Sequence, residues 1–263
     1  MPNEGSETVQ PARGAGLRIC YWDAFSGISG DMTVGALVDA GADASRIEEG
    51  LASLGTGATL TFEKTTRRGI AATRFKVQGG ETRAHRHLKQ ILQMIERADL
   101  PDLAKEDASR VFRVLGEAEA AVHQVPVEKV HFHEVGAVDS ICDIVGACLA
   151  LVLLGIDRVF SSPLNVGSGT VETEHGLLPV PAPATARLLY GRPVYCRGPA
   201  VELTTPTGAA LACTLATSFG PSPAMKITAS GYGAGDRDFP EHANVLRALI
   251  GEAMEEGLPG PPV

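Results

Sequence analysis

The sequence predicts an α/β fold with a mixed sheet, and three observations support this. Short apolar or alternating stretches, such as LRICYWDAF (17–25) and IAATRFKVQG (70–79), are interleaved with longer segments whose apolar residues recur at helical spacing. The composition is 44% hydrophobic and 21% charged, with 30 glycines and 17 prolines in no repeating period, which is that of a loop-rich globular chain and not a fibrous one. At 263 residues the chain can bury a sizeable core, as one large domain or two small ones.

The elements follow in order. Residues 1–16 are polar and punctuated by Gly and Pro, and predict a disordered tail. LRICYWDAF predicts a strand, SGISG (26–30) a turn, and the next residues a helix from about Asp31 to Ala40, with a second helix near 44–54. ATLTFEKTT and IAATRFKVQG alternate on either side of Arg67-Arg68-Gly69, the pattern of an antiparallel hairpin. The chain therefore starts βααββ, and a larger αβ region follows a possible sub-boundary near 80–86. A helix reaches about Ala98, and Leu100-Pro101 opens a long one to about His123. Further helices are predicted at 139–154, at 178–191 with prolines in the first turn, and within 203–220, where a Thr/Pro/Gly turn feeds an apolar helix. Arg158–Ser161 predicts a short strand, and AMKITASGYG and NVLRALIGEA the closing strands. Residues 253–263 have linker composition.

Charge and cysteine usage exclude several classes. A net charge of -8 without basic clusters argues against a nucleic-acid partner. Five cysteines without CxxC spacing suggest neither a disulfide framework nor a cysteine zinc knot. No secretory h-region and no apolar run of membrane-spanning length are present, so the reading is cytoplasmic with no membrane partner. No GxSxG elbow or HExxH motif occurs.

The densest chemistry lies in KVHFHEVGAVDSICDIVG (129–146). In an extended segment His131 and His133 share a face, so the pair can present two imidazoles to one ion, with Glu134 completing or orienting the ligand set. The alternative is a pair of strand histidines. Asp139 and Asp143 are neighbours on one helix face, and Asp139 would serve equally well as a helix N-cap. His85 and His87 form a second His-x-His at a helix start, either exposed or supplying further ligands. WDAFSGISGDM (22–32) has the layout of an anion-binding turn, with small residues at Ser26, Gly27, Ser29 and Gly30 leading into a helix N-terminus. Its Asp23 and Asp31 can instead hold a divalent cation. TTPTG, with Thr204, Thr205, Thr207 and Gly208, is a similar helix start for which capping is the simpler role. His175 and the glycine-rich GYGAGDRD (231–238) read as turns.

Taken together and in order, WDAFSGISGDM, HRHLKQI, VHFHEVGAVDSICDIVG, GSGTVETEHGLLPVPAPAT, ELTTPTGAA and GYGAGDRDFPEHANVLR resemble the nickel-insertion proteins of nickel-pincer cofactor biosynthesis, the LarC family, over residues 17 to 252. The resemblance implies nickel insertion into pyridinium-3,5-bisthiocarboxylic acid mononucleotide. It also implies CTP as co-substrate with Mg2+ or Mn2+, in a lyase-class reaction that serves lactate racemase-type enzymes. By resemblance, His131, His133, Glu134, His85 and His87 become nickel candidates, and Asp139 and Asp143 supporting or divalent-metal groups. Asp23 and Asp31 become catalytic candidates, and Ser26, Gly27, Ser29, Gly30, Thr204, Thr205, Thr207 and Gly208 nucleotide or substrate contacts. Family members carry a further C-terminal domain, so the resemblance also implies a separate domain or subunit as partner, and a homo-oligomer is an open possibility.

Overall fold

The computed structural model describes residues 16–80, 86–132, 138–173 and 175–254. The expectations placed on residues 1–15, His85, His133, Glu134 and 255–263 lie outside the described residues. In chain order the first elements are β1 (Arg18–Asp23), α1 (Gly30–Asp39), α2 (Ala44–Ala52), β2 (Ala58–Arg67) and β3 (Ile70–Gly79). They reproduce the βααββ start. The β2–β3 hairpin turns through Arg68 and Gly69, both at positive φ, as a two-residue hairpin requires.

Next come β4 (Arg86–His87), α3 (Leu88–Arg97), α4 (Asp102–His123), β5 (His131–Phe132), α5 (Val138–Leu153), β6 (Arg158–Ser161) and β7 (Leu164–Asn165). The chain continues with β8 (Thr170–Thr173), β9 (Gly176–Pro179), α6 (Pro183–Leu188), β10 (Val194–Tyr195), α7 (Pro206–Leu215), β11 (Ala216–Phe219), β12 (Met225–Ala234) and β13 (Val245–Ala253). A seven-stranded mixed sheet of order β11-β6-β1-β13-β12-β3-β2 forms the frame. β11, β6 and β1 run parallel, β13 is antiparallel to both β1 and β12, and β12 is parallel to β3.

The period of two decides which side chains each face receives. Along β1, Cys20 and Trp22 enter the main core, while Ile19 and Tyr21 join Phe160 in a small cluster on the other face. Helix α1 packs on β12 and β3, α5 on α1, and α4 on α5, α6 and α7. Residues before 80 and after 86 contribute to the same core, with Phe75 beside Ile91, Phe112 and Ile141 in one cluster.

Three expectations are corrected. The helix predicted at 178–191 begins only at Pro183, because Leu177–Pro179 pair with β8 as the second arm of a hairpin and Val180-Pro181 is a cis turn. The helix predicted to run on to about 220 after the TTPTG turn stops at Leu215, where Ala216–Phe219 join the sheet edge beside β6. Residues 231–233, predicted both as the end of a closing strand and as part of a turn, follow the strand reading: they belong to β12, where α1 lies almost on the backbone and a Cβ on Gly233 would sit 1.7 Å from the Met32 carbonyl oxygen. Such an approach excludes any side chain larger than hydrogen.

Candidate functional site

The chain leaves the sheet at the carboxyl end of β1, beside the ends of the parallel β6 and β11, where open α/β sheets place their ligands. Asp23 ends β1 in a 2.5 Å ion pair with Arg247 of β13. The turn that follows is fixed from several sides. The Ala24 amide donates to Ser162 Oγ at 3.0 Å. Buried Ser26 is hydrogen-bonded through Oγ to His242 Nε2 at 2.8 Å, and Gly27 adopts φ +78°. Ile28 bridges Thr204, and its carbonyl accepts from the Thr205 amide at 3.1 Å.

The two helix-start blocks thus build one structure. Thr204 Oγ1 donates to the Asn165 carbonyl at 2.8 Å, and Thr205 Oγ1 caps α7 by accepting from the Gly208 amide at 3.1 Å. Gly208 lies against the Ile28 carbonyl, and Thr207 is buried in the same helical turn. In this arrangement Thr204, Thr205 and Gly208 brace the Ser26–Gly30 turn.

Beyond the turn, Ser29 Oγ donates to Asp31 Oδ1 at the start of α1. Asp143 reaches in from α5 and accepts from the Asp31 backbone amide. Gly30 makes this possible, since a Cβ there would lie 2.5 Å from Asp143 Cβ. Asp31 and Asp143 line a cleft of about 510 Å³ with Asp139, Asp236, Arg74 and Lys76. The Asp143 carboxyl is held well above the usual range, by burial first and then by the charges of Asp31, Asp139 and Asp236. Burial also raises Asp31, against the opposing hydrogen bond from Ser29. Arg74 Nε donates to Asp236 at 2.8 Å, and Lys76 pairs with Glu63 at 2.6 Å. Asp139 does not take the expected N-cap position: α5 is described from Val138, and Asp139 sits inside its first turn, favoured there by the helix dipole. Asp23, committed to Arg247, and Asp31, beside Asp143, face different neighbours.

The two histidine-bearing segments meet. β4 and β5 pair antiparallel, with His87 opposite His131. His87 also precedes α3, where its amide donates to Gln90 Oε1 at 2.9 Å, and its Nδ1 lies 3.2 Å from the Val130 carbonyl. Residues 133–137 connect β5 to α5, and α5 carries Asp139 and Asp143 into the acidic cleft. Elsewhere, His123 of α4 packs against His175 with the rings tilted by 51° and their centroids 5.0 Å apart, and Glu119 is 3.6 Å from His123. Among the described residues no three His, Cys, Asp or Glu side chains are arranged to hold a metal ion. Three of the cysteines are buried, and desolvation pushes the Cys20 and Cys142 thiols up to about 12, which makes them inert core groups.

Residue-by-residue reading missed several groups the fold delivers here: Asp236 and Arg74 in the acidic cleft, and Phe239 and His242 beside the turn. Asp236, Phe239 and His242 stand in GYGAGDRDFPEHANVLR, whose density of acidic and aromatic residues was the available signal.

The fold and clefts define an α/β domain in which paired histidine strands lead into a carboxylate-lined cleft. A family model described as nickel insertion protein matches residues 20–259. The pyridinium-3,5-bisthiocarboxylic acid mononucleotide nickel insertion protein of Geobacillus kaustophilus is 48% identical, covering 93% of this chain and 62% of the relative. A putative nickel insertion protein of Geobacter metallireducens is 52% identical, covering 92% of this chain and 63% of the relative. The Desulfitobacterium hafniense protein, which bears the same description as the Geobacillus one, is 47% identical, covering 91% of this chain and 60% of its own length. The chain belongs to the nickel insertion protein family. It spans about three fifths of the length of these relatives. No solved structure matches it.

Proposed function

We propose that this chain takes part in inserting nickel into pyridinium-3,5-bisthiocarboxylic acid mononucleotide, the molecule in the description of the Geobacillus and Desulfitobacterium relatives. The observation that carries this reading is the antiparallel pairing of β4 with β5, which sets His87 opposite His131. Nickel is here a substrate, and imidazole is a ligand that suits it. CTP is the proposed co-substrate, with CMP and pyrophosphate as products, in the cytoplasm.

A divalent Mg2+ or Mn2+ fits the acidic cleft. Mg2+ is usually bound by one or two carboxylates with phosphate oxygens completing its shell, so Asp31 and Asp143 suffice without a third protein ligand. Such an ion supplies charge neutralisation at the phosphates. The residues around it do the rest: Ser29 holds the Asp31 carboxylate, the Asp31 amide holds Asp143, and Arg74 fixes Asp236. Among the described residues no helix is long and apolar enough to cross a membrane.

The test is a nickel titration of the whole chain and of a His131→Ala/His133→Ala variant. Losing even a residue that only hydrogen-bonds to a metal ligand typically costs about 10–100-fold in affinity, so loss of two direct ligands should weaken nickel binding by at least about 100-fold. Unchanged nickel affinity in the double variant would sink the assignment. Turnover of CTP with the pyridinium substrate, measured with and without the remaining length of a relative added in trans, separates an insertase from a non-catalytic nickel- and nucleotide-binding half.

A further inference from the structure

On the other flank of the Ser26–Gly30 turn lies a second, larger cleft, of about 820 Å³, whose walls include Phe25, Tyr195, Phe239 and His242 together with the charged Arg197 and Glu241. Its size is that of a small-molecule site. The rings are mutually arranged: Phe25 and His242 have centroids 5.7 Å apart at 49°, and Phe239 and His242 6.2 Å apart at 59°. His242 is held from behind. Its Nε2 is bonded to the buried Ser26 Oγ, and the Gly198 backbone presses on its ring so closely that a Cβ there would come within 3.1 Å. Burial lowers the basicity of His242, so the ring stays neutral near pH 7. The rings therefore offer π faces without a histidinium charge, and with the Glu241 carboxylate in the same lining to balance Arg197 they favour a planar cationic ring.

The aromatic and acidic clefts share lining residues through a small hollow. Phe239 also lines a small hollow of about 210 Å³, whose other walls include Asp31 and Asp236. Asp31 and Asp236 in turn line the carboxylate cleft. A ligand with its ring among the aromatics can extend along the turn toward Asp31.

We propose that this aromatic cleft binds the positively charged ring of a pyridinium mononucleotide, with Arg197 facing its acid groups. The assignment rests on the nickel-insertion reading for its choice of ligand. It puts the aromatic ring on one side of the Ser26–Gly30 turn and the divalent cation on the other.

Isothermal titration of the whole chain with nicotinic acid mononucleotide, a pyridinium carboxylate nucleotide, tests it, with CMP as the comparator whose ring is uncharged. Binding of the pyridinium probe is expected, stronger than that of CMP. Phe239→Ala and Tyr195→Ala are each expected to weaken it by about tenfold, the scale of one cation–π contact in a desolvated site. Tyr195 is 37% exposed, so its variant keeps the fold if Phe239→Ala does not. No binding to the wild type, unchanged binding in both variants, or equal binding of CMP overturns the proposal. Nickel affinity is measured on the same samples. Its absence beside intact, ring-dependent probe binding supports the cleft while defeating the nickel reading, and retained nickel binding without probe binding defeats the cleft alone.

Discussion

Asp143 shows what a single residue costs and what it secures. Its carboxylate is withdrawn from water, faces Asp31, Asp139 and Asp236, and is accommodated only because position 30 has no side chain. With the folded carboxyl raised above its unfolded value, the unfolded chain ionises first as pH rises. Stability present at acid pH is therefore lost progressively from about pH 4 upward toward the raised folded value. Asp143→Asn removes that loss. Its melting temperature in metal-free buffer at pH 7 should exceed the wild type's, and the difference should vanish near pH 4; a variant less stable at pH 7 would show that the charge is already compensated. From sequence, Asp139 and Asp143 were recognisable as neighbours on a helix, but Asp31 lies more than a hundred positions away. Their convergence needs α5 to pack on α1.

At the scale of elements, the helix starts were legible and their purpose was not. The capping chemistry of Thr205 before Pro206 is local, so α7 was predicted to begin where it does. What the cap supports is non-local: Ile28 bridging Thr204 and resting on Gly208. Thr205→Ala should lower stability by about 1 kcal/mol, read from the denaturant midpoint. A second effect is expected in nucleotide binding, because the turn that α7 braces loosens with it. The missed strand β11 and the shortened α6 have a shared cause. Ala216–Phe219 and Gly176–Pro179 are strands through pairing with β6 and β8, and pairing partners do not show in a local hydrophobic pattern.

For the whole molecule, the two clefts on either side of one turn make a prediction about linkage. A ligand that binds only the folded chain stabilises it by mass action, about 2.7 kcal/mol at a hundredfold excess over its dissociation constant. Mn2+ with CTP should therefore raise the melting temperature of the wild type, and Asp31→Asn with Asp143→Asn should abolish that rise. An equal rise in the double variant would place the cation elsewhere.

The sequence by itself determined the α/β class, the βααββ start, the closing strands and the membership of the nickel insertion family. These rest on local periodicity, on turn residues and on six ordered blocks of residues, all of which are properties of neighbours along the chain. Only the tertiary structure decided which blocks meet: His87 opposite His131, Asp31 beside Asp143, and Ser26 against His242. Those contacts are set by strand order and helix packing, in which residues over forty to two hundred positions apart are chosen as partners by the burial of the whole core.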